Sequence, residues 1–290
     1  LMLNILDQIE QWIKDFLIEC ITGNLSGLFD QVNDAVGDVA ADVAKTPQTW
    51  NSGVFSMIRS LSDNVIVPIA GIILTFVLCY ELISMIVEKN NMHDFDTFNI
   101  FKWIFKVYVA TYLVTHTFDI TMAIFELSQT VVRRSAAVIT GNTSIRFSAV
   151  LGSLASQLDT MGIGELFGLL VETALIRITT PILSVCVMLV LVGRMVEIYI
   201  YCSVGAILFP TMTSREWGQM GNNYLRGLVA LGLQGFFIMV CIAIYSALIA
   251  GIGAAPNIHK AIWSCAGYTL LLCFSLFKTS SISRSIFNAH

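Results

Sequence analysis

The sequence predicts an all-α, polytopic helical membrane protein with about five to six transmembrane helices and an amphipathic helical N-terminal region. Three observations carry that reading. Of 290 residues, 56% are hydrophobic and only 12% charged, about half the charge of an ordinary soluble domain. The mean hydropathy is +0.76. Several apolar runs reach the roughly 20 residues that a helix needs to cross the hydrocarbon core.

The formal charge of −4 is unevenly placed: residues 1–64 hold nine acidic and three basic residues, and the remainder is mildly basic. That balance does not indicate a nucleic-acid-binding surface. The seven cysteines show no CxxC and no histidine partners at metal spacing, and six lie inside apolar runs, where a thiol behaves as a small hydrophobe. No disulfide, metal or cofactor is expected. The first residues do not read as a secretory signal, because Asp7, Glu10, Asp15 and Glu19 interrupt them.

Residues 1–64 read as an acidic extramembrane region. Met2, Ile5, Leu6, Ile9, Trp12, Ile13, Phe16, Leu17 and Cys20 form a helical stripe over residues 1–21. Interfacial helices usually carry Lys and Arg on the polar face, so this acidic one is expected to pack on protein. A thinner stripe, Leu25, Leu28, Val32, Val36, Val39 and Val43, shares its helix with Asp30, Asp34, Asp38 and Asp42. Like charges four apart repel, so this helix needs a partner, and Pro47 marks its end.

Residues 65–127 hold the first two spans, about Val65–Val87 with Glu81 inside and about Phe101–Leu127 with His116 and Asp119 inside. A central polar loop with an amphipathic helix is expected over 128–165, bearing Arg133, Arg134 and Arg146 and a turn at Gly141-Asn142-Thr143. The core bundle, 166–278, opens with a span near Leu166–Val192 containing Glu172, Arg177 and Pro181. A short span follows at Met195–Met212 after hardly any loop, as a tight hairpin or kinked pair. Two more lie near Leu228–Ile252 and Ile262–Phe277. Residues 279–290 form a short basic tail. Counted as six spans, more Lys and Arg fall on the side of the two termini, which places both in the cytoplasm. Fusing the third and fourth segments gives five spans and breaks that symmetry.

Ionisable residues inside a membrane mark a pathway or an internal pair. Glu81, His116, Asp119, Glu172, Arg177, Arg194 and Glu197 are the candidates, with Gln234 as an interhelical hydrogen-bond partner. Arg194 and Glu197, three apart, are expected to pair with each other. His116 and Asp119 share a face, as a proton relay or a hydrogen-bonded clamp would require. Glu172 and Arg177, five apart, are expected to meet other helices. Ala243, Ala247 and Gly251 repeat at the spacing that lets helices approach closely. There is no HExxH, P-loop or GxSxG motif, so no enzyme is expected.

The segment from Val190 to Ser246 is the most distinctive. It contains Gly193-Arg194-Met195-Val196-Glu197-Ile198-Tyr199, Phe209-Pro210, Glu216-Trp217-Gly218-Gln219, Asn223-Tyr224-Leu225-Arg226 and Ala230-Leu231-Gly232-Leu233-Gln234-Gly235-Phe236-Phe237. Those residues resemble the TrbL-like polytopic subunit of type IV secretion systems, in the form found in Gram-positive conjugative elements. The resemblance implies a channel or scaffold subunit in the cell membrane. Its implied partners are other type IV secretion channel proteins and ATPases, the lipid bilayer and further copies of itself. It also implies transient contact with single-stranded DNA or protein substrate, for which Arg133, Arg134 and Arg146 are the loop candidates. Relatives from double-membrane bacteria have about five spans and an outside N-terminus, which departs from the charge count above. An ion-coupled small-molecule transporter using the intramembrane carboxylates, or a scaffold without a conduit, are the alternative readings.

Overall fold

The computed structural model describes residues 2–87, 97–142, 152, 155–254 and 257–289. It contains no strand among them. Helix α1 is Met2–Val43, α2 is the single turn Pro47–Trp50, and α3 is Ser52–Leu61. A π-turn at Ser62–Ile66 leads into α4, Val67–Val87. Then come α5, Thr97–Asn142, α6, Ile163–Arg177, and α7, Thr179–Leu208. A 3-10 turn at Phe209–Thr213 precedes α8, Gly218–Ala250, and a second at Gly251–Ala254 precedes α9, Ile258–Ile286.

Five segments are long and apolar enough to cross a membrane: Ser52–Val87, Phe98–Val138, Ile163–Thr213, Gly218–Ala250 and Ile258–Ile286. The expected third and fourth spans are therefore one segment, and the hairpin at Gly193-Arg194 does not exist. Nothing in Gly193-Arg194-Met195 breaks a helix, and α7 runs through it without interruption. The interruption falls earlier, at Ile178, between α6 and α7. Pro181 lies three residues on; with no N–H to donate and a ring that crowds the preceding turn, it disfavours a continuous helix there.

The first span also begins earlier than Val65. Pro68 sits inside a helix that continues from Ser52, and the wider turn just before it absorbs the mismatch: the Val67 N–H reaches back five residues to the Ser62 carbonyl. The second span overruns its expected end. The turn at Gly141-Asn142-Thr143 is absent through Asn142, because α5 continues to that residue. Arg133 and Arg134 thus stand on a helix and not in a loop. At 46 residues, α5 would be about 69 Å long, more than twice the hydrocarbon thickness. Arg146, and Phe147, Val150, Leu151 and Leu154 of the expected amphipathic helix, lie outside the described residues, as do residues 88–96; Leu158 is buried.

The chain divides into two compact units. The first comprises Leu1–Val43, Arg133–Leu191 and Phe236–Thr279. Here α1 packs along α6. Leu17, Ile21, Leu25 and Leu28 on one helix and Leu166, Leu169, Thr173 and Ile176 on the other are buried at helical spacing. Leu25 and Leu28 belong to the thinner stripe, and Val39 and Val43 further along it are buried as well. The front of α1 behaves differently from expectation. Ile5, Leu6, Ile9, Trp12 and Phe16 are exposed, Trp12 at 67%, so that part of the stripe is uncovered among the described residues. The N-terminus of α6 is closed by Glu165, whose carboxylate accepts from the Gly162 N–H at 3.1 Å. In the same unit the Tyr245 and Thr269 hydroxyls meet at 3.0 Å, tying α8 to α9.

The second unit comprises Ala44–Val132, Val192–Gly235 and Ser280–His290. Its core gathers Phe118 and Phe125 of α5, Met195, Ile198 and Cys202 of α7, Phe209, and Tyr224, Leu228 and Leu231 of α8. Phe55 of α3 closes on Phe118 edge-on, with centroids 5.5 Å apart. Four glycines make this packing possible. A Cβ at Gly205 would strike Tyr224 and Thr117, one at Gly227 the Tyr201 ring, one at Gly232 Ser128, and one at Gly221 the backbone of Met212 and Leu208. The close approaches are thus here and not along Ala243, Ala247 and Gly251, where Ala247 and Gly251 are exposed and Gly251 faces open space.

Candidate functional site

The second unit holds most of the ionisable residues singled out above, and nearly all have partners. Glu81 sits near the end of α4, where both its oxygens are engaged. Oε2 faces Lys106 Nζ at 3.4 Å, and Oε1 accepts from the Arg215 backbone N–H at 3.1 Å. Asp119 on α5 meets Arg59 Nη2 on α3 at 3.1 Å. His116 does not join it: its Nδ1 lies 2.9 Å from Thr115 Oγ1 and 3.1 Å from the Tyr112 carbonyl, and its ring stacks on Tyr112 at 4.2 Å. His116 and Asp119, which share a face, thus hold separate partners. Sharing a helix face brings residues near, but each finds a better partner locally or on a neighbouring helix.

The expected Arg194–Glu197 pair is also absent. Glu197 Oε2 accepts from Arg284 Nη2 at 3.1 Å. The same guanidinium donates from Nη1 to the Tyr201 hydroxyl at 3.1 Å and lies 5.6 Å from that ring's centroid. Tyr224 donates its hydroxyl proton to the Tyr201 carbonyl at 2.8 Å and stacks on the Tyr201 ring at 5.8 Å. One cluster thus joins α7, α8 and the end of α9, and Ser283 adds a hydrogen bond to the Ala230 carbonyl. Both members of the Glu197–Arg284 pair are more than a third exposed, so in water it is worth at most about 1 kcal/mol. Its geometry specifies how the helices meet.

Arg194 turns inward instead. It is 3% exposed, donates from Nη2 to the Gly232 carbonyl at 3.3 Å, and leaves Nε without a hydrogen-bond partner. It has no ion pair among the described residues. Gln129 is as deeply buried, and neither polar atom of its amide has a partner. Gln234 is buried on α8. Nearby in the same unit, Tyr199 donates its hydroxyl proton to the Pro47 carbonyl at 2.7 Å, which anchors the short α2 turn.

In the first unit, Glu172 Oε2 lies 2.9 Å from His259 Nδ1 of α9. Arg177 Nη1 donates to Asn24 Oδ1 of α1 at 3.1 Å, and Asn24 Nδ2 donates to Thr173 Oγ1 at 3.4 Å. Glu172 and Arg177 thus serve different neighbours, as a five-residue spacing requires.

These contacts are scaffold-like. The carboxylates are spread over separate interhelical pairs and do not converge on a cavity. No group of three metal-ligating side chains gathers among the described residues. Sequence reasoning does not single out Arg284, His259, Arg59, Lys106 or Asn24, and leaves Arg284 in the short basic tail. A usable signal existed for Arg284. Leu272, Leu276, Thr279 and Ser283 are buried at spacings of four and three, so the packed stripe of α9 carries on into the apparent tail.

A model of the family described as TrbL/VirB6 plasmid conjugal transfer like protein matches residues 32–206, more than half of the chain. The chain belongs to the TrbL/VirB6 conjugal transfer-like family. The match runs from the last quarter of α1 into α7, including Gly193–Tyr199, and ends before Phe209-Pro210, Glu216-Trp217 and the α8 residues. No curated protein and no solved structure shows significant similarity to the chain. TrbL/VirB6-like proteins are structural components of conjugal transfer systems and not an enzyme family, and membership implies association with other transfer components. With its five membrane-competent helices, this TrbL/VirB6-like chain is a multi-pass membrane protein.

Proposed function

We propose that the chain is a non-enzymatic channel or scaffold subunit of a conjugative type IV secretion apparatus in the cell membrane, helping single-stranded DNA or protein substrate across. The family match over residues 32–206 carries this reading. The pairing of the carboxylates supports it over an ion-coupled transporter. A coupling carboxylate must be free to take up and release its ion, whereas Glu81, Asp119, Glu172 and Glu197 each hold a cationic or histidine partner on another segment.

The burial of the spans supports assembly with further proteins or copies. Only 17%, 28% and 25% of the most apolar windows of the first three segments are buried within the chain, against 56% and 44% for the last two. The uncovered faces are left for lipid and for other subunits. Arg133 and Arg134, both exposed near the end of α5, are the substrate-facing candidates on the described chain.

The test is to isolate the apparatus from cells in the act of transfer, with a photo-reactive residue at position 134. The chain is expected to co-purify with the coupling and secretion ATPases and to cross-link to DNA in transit. A chain recovered free of any transfer component, whose purified form moves a solute with saturable, proton-coupled kinetics, would overturn the proposal.

A further inference from the structure

A cavity of about 230 Å³ in the second unit lies where four of the membrane-competent segments start or stop. Ser52–Val87 and Ile163–Thr213 end there, and Phe98–Val138 and Gly218–Ala250 begin there. Its charged lining is Glu81, Lys102, Lys106, Arg215 and Glu216. Among the described residues three cations face two carboxylates, which leaves one positive charge. Glu81 is already satisfied by Lys106 and the Arg215 N–H. Among the described residues Lys102 and the Arg215 side chain hold no carboxylate: the Lys102 ammonium rests 4.5 Å from the Phe98 ring centroid, and both residues are exposed.

Around these charges the wall is amphipathic. Trp103 and Tyr80 line the cavity, the Trp103 indole donating to the Leu78 carbonyl at 3.2 Å. Aromatic groups of this kind mark the headgroup level of a bilayer. Asn99 and Ser84 offer neutral hydrogen-bonding groups. Immediately outside, Phe101, Phe105 and Tyr108 of α5 and Phe76 and Ile83 of α4 are 60–71% exposed. They form an apolar surface continuous with a charged mouth.

We propose that this cavity binds the phosphodiester headgroup of an anionic phospholipid such as phosphatidylglycerol, with the acyl chains lying on the exposed faces of α4 and α5. The single surplus positive charge complements the single charge of a phosphodiester. The volume is below the roughly 300–1,000 Å³ of sites that enclose a whole small molecule, and suits a headgroup whose tails remain outside. Asn99 and Glu216 can accept from the glycerol hydroxyls. Basic pockets between spanning helices are a general means of holding anionic headgroups. The site is independent of the conjugal transfer role.

Native mass spectrometry of the purified full chain, titrated with phosphatidylglycerol, phosphatidylcholine or inorganic phosphate, tests this. The wild type is expected to retain phosphatidylglycerol in preference to phosphatidylcholine. The double variant Lys102→Gln/Arg215→Gln should weaken phosphatidylglycerol roughly thirtyfold and leave phosphatidylcholine unchanged. Neither residue holds an ion pair among the described residues, and Lys278→Gln serves as a control that keeps the preference. Equal retention of the two lipids, or an unchanged preference in the double variant, overturns the proposal. Displacement by inorganic phosphate at matched concentration, or by a short single-stranded oligonucleotide, assigns the cavity to a free phosphate or to nucleic acid and overturns it too.

Discussion

Alanine at Gly221 is expected to deplete the membrane of folded protein. The glycine sits in the first turn of α8 against the 3-10 turn at Phe209–Thr213. A Cβ there would lie 2.8 Å from the Met212 nitrogen and 2.9 Å from the Leu208 carbonyl oxygen. Backbone atoms cannot swing aside as a side chain does, so the whole turn must move off α8. That turn carries Phe209, which packs on Tyr224 edge-on at 6.0 Å, and the displacement therefore spreads into the core. Overpacking costs about 1–3 kcal/mol; against backbone the upper end applies, roughly a hundredfold in the folding equilibrium. Gly193→Ala is the matched control. It is exposed, lies inside α7 and meets nothing within 4 Å, and alanine gains up to about 1 kcal/mol over glycine in a helix. Thermal unfolding in detergent should therefore fall by many degrees for Gly221→Ala and hold or rise for Gly193→Ala. If Gly221→Ala melts with the wild type, the close contact between turn and helix is refuted.

The second large effect is expected at Arg194, and its sign is less intuitive. A guanidinium taken out of water loses several kcal/mol of hydration. One hydrogen bond at 3.3 Å to a carbonyl, with no carboxylate, does not return that. Arg194→Met keeps the length and most of the volume and removes the charge, so the purified chain should melt at the same temperature or higher, by about 1–4 kcal/mol. Arg194→Glu should not fold, because it buries a charge beside the acceptor Gly232 carbonyl. The contrast separates a costly buried cation from a stabilising one: a methionine variant that unfolds as readily as the glutamate variant would show that the Arg194 guanidinium stabilises the chain.

The fold class followed from composition and run length, because 12% charge leaves no other way to dispose of so much apolar surface. The helix boundaries did not follow. Gly193-Arg194 looks like a loop when charge is taken as a sign of water, yet the helix continues, since arginine is a good helix former and its side chain can turn into the bundle. The same assumption made a loop of Arg133 and Arg134. Pairings were legible only where spacing forbade an alternative, as for Glu172 and Arg177. Arg194 with Glu197, and His116 with Asp119, satisfy the helix geometry and still go elsewhere. Their real partners, Arg284 and Arg59, are separated from them by tens of residues, and a single sequence does not register that proximity. Gly205, Gly221, Gly227 and Gly232 escaped notice for the same reason: what a glycine makes room for lies on another segment.

The central claim is that these charges hold together a component of the transfer machine and do not carry a solute. Conjugative transfer frequency, measured in cells lacking this chain and complemented with variants, tests it most directly. Transfer should vanish without the chain and return with the wild type. It should return largely with Glu81→Gln, Asp119→Asn, Glu172→Gln and Glu197→Gln, which keep a hydrogen-bond acceptor for each partner, and fall well below that with alanine at the same four positions. Undiminished transfer in the absence of the chain, or transfer that the amides abolish as completely as the alanines do, would contradict the account.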